Sequence, residues 1–446
     1  MDQAQPPSPE GGPGSRPPRR HPPHLSYRSR HRAASHDAAH DAAASLVPEN
    51  LPDDPRIART AADVVTDDGA LADLLDHLRA AGSFAYDSEF IGELTYHPQL
   101  CLIQVATTER IALIDPQADI DLRPFWNLLA DPKVEKIVHA GAQDVEPVHR
   151  NVGVACNNLF DTQVAAGFSA MAYPVSLAKL VGEVLKYKMP KGLTFTDWQR
   201  RPLSPSQLRY AADDVRFLPA LAGELKSRLD ALGHGRWVIE ECNAMCDPSR
   251  YAFDAESDFL HLRGAGTLST PQLAVLRELM IWRERCAVEA DCPPRAFVRD
   301  EAMIDLARHP AKSIDRLHKV KFLPRPVIDR QGDQIVRHTL SALEHPPAGL
   351  KRPPQHEPTP TERFRTESLW AAAQTVCLSQ GLDPAVVTSR QEIADLDRAW
   401  ATGDQSAVAD SNVMKGWRAE ALGDRLKALL QGKVQLSARW EGGRLQ

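Results

Sequence analysis

Three strand-like runs joined by very short gaps constrain this chain more than any other feature of its sequence. They are Phe84–Phe90, Gln99–Thr107 and Arg110–Asp115, each rich in the apolar and β-branched residues that suit a pleated sheet. Parallel neighbours in one sheet need a crossover of a dozen or more residues, whereas two residues separate Thr107 from Arg110. The runs therefore predict an antiparallel meander. A helix is expected before it, over Leu71–Ala80. After it the pattern predicts a short helix at Phe125–Ala130, a strand at Glu135–His139, a helix at Val145–Asn151 and a strand ending at Leu159–Asp161. Helices follow over Gln163–Ser169 and Ser176–Lys186. Ser204 followed by Pro205 marks a helix start. Leu208, Val215, Leu218, Leu225 and Leu229 keep one apolar stripe, so a single long helix is expected there. Residues 48–250 read as one α/β domain, a mixed sheet flanked by helices.

The rest of the chain reads differently. Between Gly11 and Ser35 there are six Arg and no acidic residue, so residues 1–47 are expected to be a disordered Arg/Pro/His-rich tail. His36-Asp37 and His40-Asp41 resemble a metal pair but sit in a polar, Ala-rich tract, where a composition effect is the simpler reading. Beyond about residue 265 strand patterns vanish. Leu268–Ala290, Asp300–Arg308 and Ser313–Val320 read as helices of a module over 265–346, residues 347–362 as a Pro-rich linker, and 363–436 as a second helical module. No stretch approaches the roughly 18 to 20 apolar residues of a membrane helix, and no secretory leader is apparent. Seven cysteines without a C-x-x-C pair suggest a reduced, cytoplasmic protein. Cys242 and Cys246, four apart, share a helix face and are read as buried thiols. The net charge of −6 excludes a uniformly basic binder but not local patches.

The chemistry concentrates in the α/β domain. Asp87 and Glu89 lie two apart in Phe84-Ala-Tyr-Asp-Ser-Glu-Phe90, so on a strand both carboxylates project from one face. Such a pair repels unless a cation intervenes, and oxygen donors suit Mg²⁺ or Mn²⁺. About eight acidic pairs of this spacing arise by chance at this composition; what singles this one out is its place in an apolar-flanked strand. Asp144 sits where the strand Lys136–His139 hands over to a helix, a position that also suits a helix cap. Asp214 lies four residues after Tyr210 on the helix begun at Ser204, so the two share a face. Asp213 is close to that face too, and spacing alone does not choose between them.

Taken together, Asp87–Phe90, Tyr96–Gln104, Leu113–Pro116, His139–Asp144, Phe160–Gln163, Asp197-Trp198, Arg201–Leu203 and Tyr210–Val215 resemble the ribonuclease D family. These are 3′→5′ exonucleases of the DEDD superfamily, tyrosine subclass, with a ribonuclease H-like fold. Leu276–Glu284, Pro294–Asp300 and Ala302–Ala307 resemble its helicase-and-RNase-D C-terminal (HRDC) domain. Gly381–Pro384, Ser389-Arg390 and Gly416–Arg418 resemble the more divergent helical module that follows. The resemblance implies metal binding by Asp87, Glu89, Asp144 and Asp214, and a catalytic role for Tyr210. It thereby selects Asp214 over Asp213, which replaces a small residue and is expected to be exposed or to support the site from behind.

The resemblance further implies two Mg²⁺ ions, with Mn²⁺ as an alternative. Asp87 bridges them, Glu89 and Asp214 complete the site of the attacking water, Asp144 supports the other, and Tyr210 orients the water. The products are nucleoside 5′-monophosphates released from an RNA 3′ end, with tRNA precursors as the implied substrate and no obligate protein partner. Lys191, Arg200 and Arg201, in the loop before the catalytic helix, are candidates to hold the RNA backbone. Trp198 is expected in the core and His139 in a structural role. Residues 308–330 hold seven Lys/Arg against two Asp and form the candidate folded phosphate-contacting patch. A DNA-directed exonuclease and an inactive RNA-binding scaffold are the competing readings. The intact carboxylate set opposes the scaffold, and the absence of a P-loop opposes a helicase-linked enzyme.

Overall fold

In the computed structural model, residues 47–190, 192, 196–347, 350, 357–435, 437, 440–441 and 444–445 are described. The expected tail, with His36, Asp37, His40 and Asp41, lies outside the described residues apart from Val47, and so does Lys191. The α/β part runs β1 (Ala62–Val65), α1 (Asp68–Ala81), β2 (Ser83–Ile91), β3 (Gln99–Ala106), β4 (Ile111–Ile114), α2 (Arg123–Ala130), β5 (Glu135–Val138), α3 (Ala142–Val152), β6 (Leu159–Asp161), α4 (Thr162–Gly167), α5 (Leu177–Val184), α6 (Pro205–Arg216), α7 (Leu218–Leu232) and α8 (Gly235–Met245). Its six strands are ordered β1-β4-β3-β2-β5-β6. β2, β3 and β4 form the antiparallel meander, while β1 runs parallel to β4, and β5 and β6 continue parallel from β2. The meander's central strands are almost wholly buried, as its apolar runs require.

Two features differ from the sequence reading. β1 is an additional edge strand of four residues. Its polar Asp63, paired with Arg110 at 2.9 Å, hides the strand pattern. The expected long helix is two helices, α6 and α7, meeting at Phe217. Pro219 explains the break: it has no N–H to continue the ladder, and its ring crowds the carbonyl one turn back.

Beyond residue 250 the principal helices are α9 (Thr270–Ala290), α10 (Asp300–Arg308), α11 (Arg325–Glu344), α12 (Pro360–Ser379), α13 (Arg390–Thr402) and α14 (Asp424–Leu430), with one-turn helices between them. Ser269 caps α9 in a capping box with Gln272. α11 was not anticipated; its buried stripe, Ile328, Gly332, Ile335, Thr339 and Ala342, is helical in spacing but poor in large apolar residues. A short two-stranded pairing, Trp440–Glu441 with Arg444–Leu445, also follows the helices.

The two helical regions bury their apolar faces differently. Phe259, Trp282, Leu306 and Ile335 belong to a core separate from that of the α/β domain. The helices from α12 onward instead join the α/β core in one continuous cluster that includes Ala373, Val387 and Trp417. Trp417 packs on Phe168 with ring centroids 4.7 Å apart, and Arg418 makes a two-pronged pair with Glu241 at 2.8 and 3.0 Å. The α9 region touches the α/β domain through the β2–β3 loop. There the Tyr96 hydroxyl bonds Glu284, and the Tyr96 N–H donates to Asp291 at 3.1 Å. Among the described residues no helix is long and apolar enough to cross a membrane.

Candidate active site

The site is built where α6 crosses the meander. Ser204 and Gln207 form a reciprocal capping box, and Pro205 occupies the first turn, so the start and phase of α6 are set by local chemistry. That phase presents Tyr210 and, one turn later, Asp214 to β2. Asp87 and Glu89 project from β2 toward them, as the period of two requires. One carboxylate oxygen from each of Asp87, Glu89 and Asp214 lies within 4.8 Å of the others, the only metal-capable cluster of its kind among the described residues.

Asp144 is not a member of that cluster, although its charge acts on both Asp87 and Glu89. It occupies the first turn of α3, where the helix dipole favours an anion. The Ser88 hydroxyl donates to its Oδ1, and the Tyr86 hydroxyl donates to its main-chain carbonyl at 2.9 Å. Thus β2 divides its side chains by face: Asp87 and Glu89 toward α6, Tyr86 and Ser88 toward Asp144. The turn that delivers Asp144 is tight. A Cβ at Gly141 would meet the Val138 side chain at 2.6 Å. Asp161, at the end of β6, accepts the N–H groups of Ala140 and Gly141 at 3.2 and 2.9 Å, and those of Gln163 and Val164 at 2.7 and 3.2 Å. The sequence motif contained Asp161 but gave no sign of this buried role.

Burial displaces each of these carboxylates upward, and mutual repulsion adds to it at Asp87, Glu89 and Asp214. Burial, then the charges of Asp144, Asp214 and Glu89, hold Asp87 well above the usual carboxylate range. Burial and Asp144 raise Glu89 to about 7. Burial and Glu89 raise Asp214 to about 8, against a lowering interaction with the Tyr210 hydroxyl. Burial lifts Asp144 to about 6, opposed by Ser88. Burial, then the charges of Asp214, Glu89 and Asp87, push the Tyr210 phenol up. A hard cation among these oxygens would relieve the repulsion, so the donor set fits a divalent metal.

Asp213 is buried, which excludes the exposed alternative of the sequence expectation. It points away from the cluster and pairs with Arg216 at 3.0 Å and Arg209 at 3.7 Å. Arg216 in turn donates to the carbonyls of Ala58 and Thr60 at 2.6 and 3.2 Å. Arg201 is likewise committed internally: it grips Asp115 at 2.7 and 2.8 Å and donates to the carbonyls of Trp198 and Cys101. Its guanidinium therefore anchors the loop before α6, whereas Arg200 is exposed. Trp198 is buried, 6.1 Å from the Tyr210 ring, as expected of a core residue. His139 bridges the Thr162 hydroxyl and the Val175 carbonyl, each at 3.0 Å, in a structural role. Cys242 accepts the Asp161 N–H at 3.4 Å.

A meander-centred mixed sheet with acidic residues converging from a strand and a crossing helix defines a nuclease of the 3′–5′ exonuclease class. The 3′-5′ exonuclease family model matches residues 62–230, and the HRDC domain model matches residues 272–338. Ribonuclease D of Bartonella henselae is 31% identical over 366 residues, covering 80% of this chain and 87% of that protein. Ribonuclease D of Zymomonas mobilis is 34% identical over 382 residues, covering 84% and 96%. The crystal structure of Escherichia coli RNase D, an exoribonuclease involved in structured RNA processing, superposes with a TM-score of 0.73 at 30% identity, covering 84% of this chain and all of that one. The chain belongs to the ribonuclease D family and is a 3′→5′ exoribonuclease.

Proposed function

We propose that Asp87, Glu89, Asp144 and Asp214 are the metal-site carboxylates of this exoribonuclease and that Tyr210 orients the attacking water. The observation that carries this reading is the convergence of the Asp87, Glu89 and Asp214 oxygens within 4.8 Å of one another. Two Mg²⁺ ions, or Mn²⁺ in their place, would supply positive charge for the scissile phosphate and a more acidic water. Asp87, Glu89 and Asp214 would hold the ions through their converging oxygens, with Asp87 contributing to both. Asp144, already held by Ser88, would supply a further carboxylate to the second ion. The Tyr210 hydroxyl, one turn before Asp214, directs the water and helps take its proton. Hydrolysis then releases nucleoside 5′-monophosphates and shortens the RNA from its 3′ end.

We take tRNA precursors as the substrate and the cytoplasm as the place of action. The reported role of the Escherichia coli relative in structured RNA processing supports the substrate assignment. We divide the chain into a tail (1–47), an exonuclease domain (48–250), an HRDC domain (265–346), a linker (347–362) and a second helical module (363–436), with no obligate protein partner. In the HRDC domain, Arg308, Lys312, Arg316, Lys319 and Lys321 line a surface cavity of about 1020 Å³ beside the exposed Phe322. Clustered cations with an exposed aromatic suit RNA phosphates and bases. Arg200 is retained as a backbone contact nearer the cleavage site. The test is digestion of a 3′-tailed tRNA and a matched single-stranded DNA with Mg²⁺. Stepwise trimming of the RNA is expected. Preferential loss of the DNA would favour the DNA-directed alternative, and no loss of either would favour a scaffold.

A further inference from the structure

Gln104 is an anomaly at the centre of the sheet. Its side chain is fully buried. Neither its amide nitrogen nor its oxygen has a hydrogen-bond partner, and it is the one amide among the described residues with both ends buried and unmatched. An amide in that condition costs stability that an apolar side chain of similar size would not. Leu102 and Val105 nearby on β3 show that the strand accepts apolar residues without difficulty.

Its position points to a reason. Gln104 stands directly opposite Asp87 in the antiparallel β2–β3 register and opposite Leu113 on β4. Directly opposed residues share a sheet face, with Cβ atoms about 4.5–5.5 Å apart, well within reach of a glutamine side chain. The face is the one covered by α6, which packs on β2, β3 and β4 and carries Tyr210 and Asp214. Across the ladder, then, the orphaned amide has an apolar neighbour on one side and Asp87 on the other.

We propose that Gln104 is a positioning residue for the metal centre, its amide donating to the Asp87 carboxylate when a divalent cation draws that carboxylate into place. The inference rests on the metal-site reading above and extends it to a residue that touches neither substrate nor cation. A carboxylate bound to a cation has one set of lone pairs committed; a donor on the far side fixes its rotation. Buried polar groups without partners are rare enough in folded chains to require such an account.

The test compares full-length wild type, Gln104→Leu and Asp87→Asn by calorimetric titration with Mn²⁺ and by thermal unfolding in chelator. Gln104→Leu should leave the metal-free melting temperature equal to or above that of wild type, because an unsatisfied amide is removed. It should weaken Mn²⁺ binding about 10- to 100-fold, the usual effect of losing a group that orients a ligand. Asp87→Asn should abolish binding at its site. If Gln104→Leu binds Mn²⁺ as wild type does while Asp87→Asn does not, the proposal fails and the metal-site reading survives. If Asp87→Asn also binds normally, the metal-site reading itself fails. Should the leucine variant not fold, Gln104→Met, close in shape, takes its place with the same expected loss of affinity.

Discussion

Replacing Asp214 by Asn should stabilise the metal-free protein at pH 8. In the native state this carboxyl titrates at about 8, raised from 3.8 by burial and by Glu89. Because the folded value is the higher one, the native state holds the proton more tightly than the unfolded chain. Stability therefore falls as pH rises from 3.8, and the loss is complete above about 8. At about 1.4 kcal/mol per unit, the displacement bounds the cost at ~6 kcal/mol. The asparagine amide retains part of the burial cost and neighbours relax, so roughly half, about 3 kcal/mol, is the expected gain. For a domain of this size that is about 6–12 °C in melting temperature. At pH 5.5 only about two-fifths of the gain should remain, since less of the window has been crossed. The assay is thermal unfolding in chelator at the two pH values, repeated with saturating Mn²⁺. The cation should raise the wild-type melting temperature far more than that of Asp214→Asn. A variant less stable than wild type at pH 8 in chelator would refute the reasoning, for it would make Asp214 a structural anchor instead of a strained metal ligand.

Three other outcomes follow from the same geometry. Tyr210→Phe keeps the ring beside Trp198 and removes only the hydroxyl, so kcat should drop about 10²–10⁴-fold with KM little changed, as single-turnover kinetics would show. Asp213→Asn should act oppositely, costing about 3 kcal/mol in urea unfolding by stripping the buried Arg216 of its counter-charge while leaving the activity of the folded enzyme near wild type. Reversing Lys319 and Lys321 to Glu in the HRDC cavity should weaken tRNA binding and flatten its dependence on log salt by about 1 to 2, with hydrolysis of a short oligonucleotide unaffected.

Much of the fold was legible because it depends on local signals. The short gaps around Gln99–Asp115 demanded antiparallel neighbours, and Ser204 followed by Pro205 marked the start of α6. Other features depend on tertiary context. β1 is too short and polar to declare itself without β4 beside it, and α11 hides its apolar stripe by using Gly332 and Thr339. Pro219 was visible in the sequence, and the break it forces between α6 and α7 follows from its missing N–H and its crowding ring. In the site, strand alternation correctly placed Asp87 and Glu89 on one face, and helical spacing placed Tyr210 near Asp214. Spacing could not separate Asp213 from Asp214, because the decision rests on Arg216, whose inward course to Ala58 and Thr60 is a three-dimensional fact. For the same reason Arg201 read as an RNA contact until its carboxylate partner, Asp115, came into view 86 residues earlier in the chain.

On the proposed mechanism the Asp87, Glu89 and Asp214 cluster drives metal-dependent removal of nucleotides from an RNA 3′ end. The most direct test follows a 5′-labelled, 3′-tailed tRNA precursor on a sequencing gel while the released nucleotides are identified by chromatography. Wild type and Asp87→Asn are compared with Mg²⁺ and with chelator. Wild type with Mg²⁺ should give a ladder shortening one nucleotide at a time and nucleoside 5′-monophosphates as the released species. Chelator should stop it, and Asp87→Asn should be slower by more than about 100-fold, beyond the usual cost of losing a group that merely orients a ligand. Internal cleavage fragments, 3′-monophosphate products, or near-normal trimming by Asp87→Asn would contradict the account.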